Sequence, residues 1–358
     1  MKSLVVMAAV IAGLLGVPAT ASAAAAPDLS LPAPAAAAPD LSLPAPGGPL
    51  PIGLRTLHLT DQQRADPWVP EKRRELMVNV WYPAVPIGRT SLYMTEAESA
   101  AAVAGRKLDL PPDALSKIRV HSRENAPSLP GRRPLVVLSP GAGNNRITLT
   151  SVAEHLASQG FVVAGIDHAY EAWATEFPDG LRQCVACGRQ PDPWPTAIAN
   201  RAIDTSFVVD TLLKDRRWSI DAGKIGMAGH SAGGSATAAA MVTDRRIKAG
   251  VDVDGPFFGT VSLDRPFLLL TSPTGEKYYG ASWEETWPRL TGPKKRDLVE
   301  NSGHSSVTDA AILIDQLGLR THLPPTEVEN QYGSIDSGKA LEFFRGELTG
   351  FFKKWSAR

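Results

Sequence analysis

The spacing of apolar positions divides the chain into stretches of different character. Arg55 to Asp61 and Glu75 to Pro83 read as strands; the second, E-L-M-V-N-V-W-Y-P, alternates at its centre and ends at a proline. Two strands before any helix predict an antiparallel start. Residues 89–131 are rich in Ala, Ser, Pro and charge and read as a long surface excursion. From Pro134 the pattern changes. Pro134 to Ser139 is a short apolar run suited to a strand buried on both faces. Helical periodicity follows through Val152 and Leu156 and stops at Gly160. Phe161 to Asp167 is another buried strand, and Pro195 to Leu213 a helix with Ile198, Ile203, Phe207 and Val208 towards one side. Then come a strand at Lys224–Ala228, a small-residue helix at Ser231–Met241, and strands at Ile247–Val253 and Pro266–Leu270; Leu298-Val299 marks the last. Leu341, Phe344, Leu348, Phe351, Phe352 and Trp355 recur at helical spacing, a stripe that packs on a sheet or lies against a lipid surface. Strands alternating with helices predict an α/β fold with a mostly parallel central sheet, helices on both faces, and a ligand at the carboxyl ends of the strands.

The start of the chain does not fit this alternation. Lys2, the apolar run Leu4 to Leu15 and Ala21-Ser22-Ala23 form a secretory signal with an A-x-A cleavage site, so residues 1–23 are expected to be removed and the protein secreted to the extracellular space. Ala23 to Pro34 reads AAAAPDLSLPAP, and Ala35 to Pro46 repeats it letter for letter. Residues 24–50 are therefore expected to be an extended Ala/Pro linker without a core. Residues 51–358 remain and are expected to fold as one domain.

Charge removes one class of partner. Lys+Arg and Asp+Glu balance at 37 each and no basic block occurs, so nucleic acid is not an expected ligand. The two cysteines, Cys184 and Cys187, lie in a Gly/Pro/Asp-rich stretch, which favours a small disulfide clip over a redox pair or a metal site.

The sharpest chemical signal is G-x-S-x-G at Gly229-His230-Ser231-Ala232-Gly233, after a predicted strand and opening a predicted helix. Such a turn lifts Ser231 above the sheet and aims the helix amino end at developing negative charge. The base should follow the last strand. His304, in the turn N-S-G-H-S-S, fits better than His322 farther out. His230 adjoins the serine but is expected to point away from the reacting face, and His168 reads equally as pocket lining or a structural histidine. The acid is open among Asp254, Glu276 and Asp252; Asp254 is preferred because it sits at a strand exit. Two backbone amides should form an oxyanion hole: that of Ala232, and one from the loop Leu138–Gly143, with Ala142 preferred and Gly143 next. Phe257, Phe258, Trp173 and Trp283 are candidate apolar walls, or ordinary core.

Five stretches resemble the platelet-activating-factor acetylhydrolase-like branch of α/β-hydrolases, the secreted lipoprotein-associated phospholipase type. They are Arg74 to Pro83, Leu138 to Gly143, Gly229 to Gly234, Gly250 to Gly255 and Gly303 to Asp309. The resemblance runs from about Leu54 to the last helix. It implies the α/β-hydrolase fold and a serine carboxylic-ester hydrolase without metal or cofactor, acting on short or oxidised acyl chains of phospholipids. It places the acid after the strand that follows the nucleophile helix, at Asp254, and pairs the histidine with a later aspartate, as His304 and Asp309. The usual His-Gly of the oxyanion loop is Pro140-Gly141 here, closer to polyester- and lipid-cleaving relatives. A small-molecule or lipid ester is thus the expected substrate, with peripheral lipid contact allowed. An acyltransferase and a non-catalytic binding module are the rival functions.

Overall fold

The computed structural model describes residues 40–357. The expected signal, residues 1–23, and residues 24–39 lie outside the described residues. The strands are β1 (Ile52–Ala65), β2 (Arg73–Pro83), β3 (Arg123–Glu124), β4 (Arg133–Ser139), β5 (Val162–His168), β6 (Thr175–Phe177), β7 (Gly180–Arg182), β8 (Ile220–His230), β9 (Ile247–Val253), β10 (Phe267–Thr271) and β11 (Lys294–Leu298). The helices are α1 (Glu96–Gly105), α2 (Thr150–Ser158), α3 (Trp194–Lys214), α4 (Ala232–Thr243), α5 (Pro273–Thr286), α6 (Asp309–Gln316), α7 (Pro325–Tyr332) and α8 (Ser337–Ser356).

Among the described residues, nine strands form one sheet in the order β11-β10-β9-β8-β4-β5-β2-β1-β3, and β6-β7 form a separate hairpin. From β5 to β11 the neighbours are parallel; β1–β2 and β2–β5 are antiparallel, which is the predicted antiparallel start. Both faces are covered. In β4, Leu135 and Val137 join the core under α3 and α4, while Val136 and Leu138 join the core under α2 and α8. This is why the central strands read as continuous apolar runs. The α8 stripe packs on the sheet: Leu341, Phe344, Leu348 and Phe352 are all buried. No described helix is long and apolar enough to cross a membrane.

Four expectations need correction. Residues 89–131 are not wholly superficial. Thr95 and Glu98 form a reciprocal capping box that starts α1, and Val103, Leu115 and Ile118 are buried in a satellite core. Residues 40–50 are not a free linker, because Leu41 and Leu43 enter the same core. In α3, Ile203 is 47% exposed, and the buried side instead carries Arg201 and Asp204 beside Ile198 and Val208. The last strand is Lys294–Leu298 rather than Leu298-Val299; as an edge strand its K-K-R-D-L carries no apolar pattern.

Candidate active site

β8 ends at His230 and α4 begins at Ala232, leaving Ser231 alone in the turn at φ 56°, ψ −121°. A non-glycine residue there is strained and persists only when its surroundings hold it. The Ser231 N–H donates to Val253 O at 2.8 Å, and its carbonyl accepts from Ser235 N at 3.1 Å. The turn is tight enough to exclude side chains at its flanks. A Cβ on Gly229 would lie 2.1 Å from the Gly233 carbonyl, and one on Gly233 1.9 Å from Ser139 O.

Asp254 follows β9 at φ 60°. Its Oδ1 accepts from the Ser272 amide at 2.7 Å, and its Oδ2 accepts from the Ser272 hydroxyl at 2.8 Å and meets His304 Nδ1 at 2.7 Å. A carboxylate at Nδ1 selects the tautomer with the proton on Nδ1 and leaves Nε2 as a base. Ser231, Asp254 and His304 are nine-tenths or more buried and lie beyond the carboxyl ends of β8, β9 and β11. The other two acids point elsewhere. Glu276 takes the Thr271 hydroxyl at 2.7 Å and Arg296 at 2.6 Å, facing the edge strand. Asp252 accepts the Gly255 amide at 2.8 Å beneath the turn, and burial pushes its carboxyl well above the usual range.

The His304 loop is braced from behind. Its amide donates to Asn330 O at 2.8 Å, and its carbonyl accepts from His230 Nε2 at 2.7 Å. Burial and the neighbouring His304 hold the His230 pKa down to about 3, so His230 is a neutral donor. It is not merely turned away from the reacting face, as the sequence suggests; it fixes the loop that carries the base. Asp309 pins the same loop to α2, accepting from the amides of Thr150 and Ser151 at 3.1 Å each and from the Tyr93 hydroxyl at 3.2 Å.

On the other side lies the loop after β4. Gly143 N–H is engaged by Glu171 O at 3.1 Å, and Gly143 O by Trp173 N at 2.8 Å. With Gly143 occupied, the amide of Ala142 is the one of the two loop candidates without a hydrogen-bond partner among the described residues. Ala142 and Ala232 share an apolar cluster with Trp194, Ile198 and Phe258. Cys184 belongs to this cluster and is disulfide-bonded to Cys187. Of the four candidate wall residues, Phe258 borders this cluster and Trp173 binds the loop, whereas Phe257 and Trp283 belong to the core under α3 and α4.

A buried ionic layer underlies this loop, and sequence reasoning missed most of it. Arg201 donates to Pro140 O at 2.6 Å and Glu171 Oε2 at 2.7 Å. Arg74 pairs with Asp66 at 2.9 Å, Asp204 at 2.6 Å and Glu171 at 3.3 Å. Burial alone would lower the pKa of Arg74; the carboxylates, Asp204 foremost, outweigh it and raise it. His168 bridges Asp204 at 2.8 Å and the Ser139 hydroxyl at 3.1 Å. Burial and Arg201 lower its pKa, so it is a neutral structural histidine rather than pocket lining. The one available signal was the pair Arg201 and Asp204, three residues apart on a helix face that packs inward.

A half-open pocket of about 300 Å³ lies elsewhere, lined by Phe267, Phe351 and Trp355 together with Lys294, Lys295 and Glu347. Phe267 opens β10, so this pocket faces the amino ends of the strands, away from Ser231.

The model of the family described as platelet-activating factor acetylhydrolase, isoform II, matches residues 42–181. The chain is 28% identical over 237 residues to a protein of Arthroderma benhamiae named "Probable 1-alkyl-2-acetylglycerophosphocholine esterase", covering 62% of this chain and 60% of that one. It is 23% identical over 307 residues to the platelet-activating factor acetylhydrolase of Cavia porcellus, covering 73% and 66%. The matches thus span less than two thirds of these relatives' length. Among solved structures, the ferulic acid esterase of Streptomyces cinnamoneus superposes with a TM-score of 0.80 at 37% identity, covering 88% of this chain and 93% of that one. A dienelactone hydrolase-like promiscuous phosphotriesterase from metagenomic libraries superposes with a TM-score of 0.53 at 13% identity, covering 85% and 98%, and shares the fold alone.

Proposed function

The chain belongs to the platelet-activating-factor acetylhydrolase-like family of α/β-hydrolases, and from that premise we propose that it is a secreted serine carboxylic-ester hydrolase. The observation that carries the reading is the 2.7 Å contact of His304 Nδ1 with Asp254 on a braced loop, beside a serine in a strained strand-to-helix turn. In the first step His304 Nε2 takes the Ser231 proton as Oγ attacks the ester carbonyl. The amides of Ala232 and Ala142 hold the oxyanion. The imidazolium, stabilised by Asp254, returns its proton to the departing alcohol and leaves an acyl-Ser231. In the second step water replaces the alcohol, His304 removes its proton, and the acid and Ser231 are released.

The favoured substrates are short-chain or lipid acyl esters, supported by the two relatives named for acetylated glycerophospholipids. A second reading, a hydroxycinnamoyl ester, is supported by the ferulic acid esterase at 37% identity. Export rests on the sequence of residues 1–23. Protein recovered from culture medium should begin just after Ala23; if the signal is retained, export with cleavage is refuted.

The test is hydrolysis of p-nitrophenyl esters of rising chain length, methyl ferulate and an acetylated glycerophosphocholine, with Ser231→Ala and His304→Ala alongside. Turnover that falls by about 10⁴ or more in both variants supports the mechanism. Full activity of Ser231→Ala would remove the nucleophile assignment. A wild type inert on every ester would favour a binding module. Acyl transfer to added alcohol in preference to water would make the protein an acyltransferase.

A further inference from the structure

Residues 40–46, the described part of the second copy of the N-terminal duplication, are seated in a defined groove. Leu41 and Leu43 are 3% and 2% exposed, buried with Tyr93, Val103, Leu115 and Ile118. Their backbone pairs with Arg119 on both sides: Arg119 N donates to Leu41 O at 2.9 Å, and Leu43 N to Arg119 O at 3.0 Å. The Gln316 side chain, at the end of α6, meets both backbone groups of Ser42, accepting from its N–H at 3.0 Å and donating to its carbonyl at 2.7 Å. Arg345 of α8 donates to Pro44 O at 3.0 Å and Ala45 O at 2.9 Å, and Arg119 pairs with Asp40 at 3.1 Å. This is recognition of an extended strand by backbone bonds, with the alternate leucine side chains buried in one apolar cluster.

Every group so recognised recurs twelve residues earlier, because Asp28-Leu29-Ser30-Leu31-Pro32-Ala33 repeats as Asp40-Leu41-Ser42-Leu43-Pro44-Ala45. We propose that the groove is a binding site for the sequence Asp-Leu-Ser-Leu-Pro-Ala, and that the two tandem copies exchange in it within one chain. Cleavage after Ala23 leaves both copies in place. When the first copy is seated, residues 35–46 form a loop between Pro34 and Gly47. Closing a twelve-residue loop disfavours that register by about 40-fold, so the second copy is the resident one and the first a reserve. The groove touches α6, whose first residue is Asp309, and so the reserve copy protects the anchor of the His304 loop if the resident copy is lost.

The test compares four full-length chains by thermal unfolding: wild type, Leu29→Asp with Leu31→Asp, Leu41→Asp with Leu43→Asp, and all four changes together. The first pair should leave the midpoint unchanged. The second should lower it, and the four-fold variant should fall further or fail to fold. Equal midpoints for the second pair and the four-fold variant, or failure of both to fold, would overturn the exchange. So would a rescue that grows with protein concentration and accompanies a dimer. As an independent readout, a fluorescent peptide Pro-Asp-Leu-Ser-Leu-Pro-Ala-Pro should bind the second pair at least tenfold more tightly than wild type. A peptide with Asp at both Leu positions should not bind. Equal peptide affinity for wild type and the second pair would overturn the groove assignment.

Discussion

The two flanks of Ser231 are built from different materials. On the base flank, His304 rests on one carboxylate, Asp254, which is itself held by the neutral Ser272, while the neutral His230 holds the loop's carbonyl. On the oxyanion flank, Arg74 and Arg201 are interleaved with Asp66, Glu171 and Asp204, all buried. The difference follows from what each flank is asked to do. A catalytic histidine gains and loses a proton in every turnover, and a dense set of fixed charges around it would favour one state. The oxyanion loop changes no charge, so buried ion pairs can lock its carbonyls in place. Such pairs cost desolvation and are weak evidence of stability, but they hold geometry well once all partners are present.

The sharpest break in this contrast comes from the base flank. Asp254→Asn should lower kcat by about 10⁴, because the carboxamide no longer selects the Nδ1–H tautomer. Glu276→Gln, at the edge strand, should stay within about threefold. Steady-state kinetics of the two variants decide; a Glu276 variant that falls as far as the Asp254 variant would reassign the acid. On the oxyanion flank the effect is smaller and divided. Arg201→Met leaves Glu171 with less compensation and frees Pro140 O, costing about 3–5 kcal/mol in denaturant unfolding. It should also cost about 10² in kcat with KM little changed, if the loop amide moves off the developing oxyanion. Arg201→Lys should not restore either, since a point charge cannot reach both partners at once. A variant that unfolds more easily but keeps kcat would make the layer purely structural.

The smallest effect is a pH dependence. Burial raises the Asp309 carboxyl to about 7, against the partial relief of the Ser151 amide, the Tyr93 hydroxyl and Arg345. A folded-state value above the unfolded one means that the neutral form is favoured by folding. This contribution is fully present below about 4 and is lost as pH rises towards 7. Asp309→Asn removes it, so the variant should lose ground to wild type at pH 4 and recover relative to it at pH 7. Unfolding midpoints at the two pH values test this. A difference between the two proteins that does not change with pH would place the charge of Asp309 elsewhere.

Much of the base flank was legible in the residues. Ser231 sits between glycines because nothing larger fits the turn, and Asp254 and His304 each follow a strand, where order along the chain reports position in space. The strand exit favoured Asp254 over Glu276 and Asp252, and the structure agrees; what the sequence could not show is which way each of the three carboxylates points. The ionic layer was hidden for a related reason. Arg74, Asp204 and Glu171 come from β2, α3 and the loop after β5, and nothing in their spacing says that they meet. Their burial also broke the apolar stripe of α3 and misdirected Ile203 to the inside.

The chain's own pattern determined the central strands, the two-faced sheet and the place of the nucleophile turn, because these rest on interactions between residues close in sequence and on a period of two or 3.6. Tertiary structure alone decided where Glu276 and Asp252 point, what holds the oxyanion loop, and that residues 40–46 of the proline-rich repeat are docked. Those rest on contacts between distant segments, and the free energy of such contacts depends on burial and charge partners that no local stretch of sequence contains.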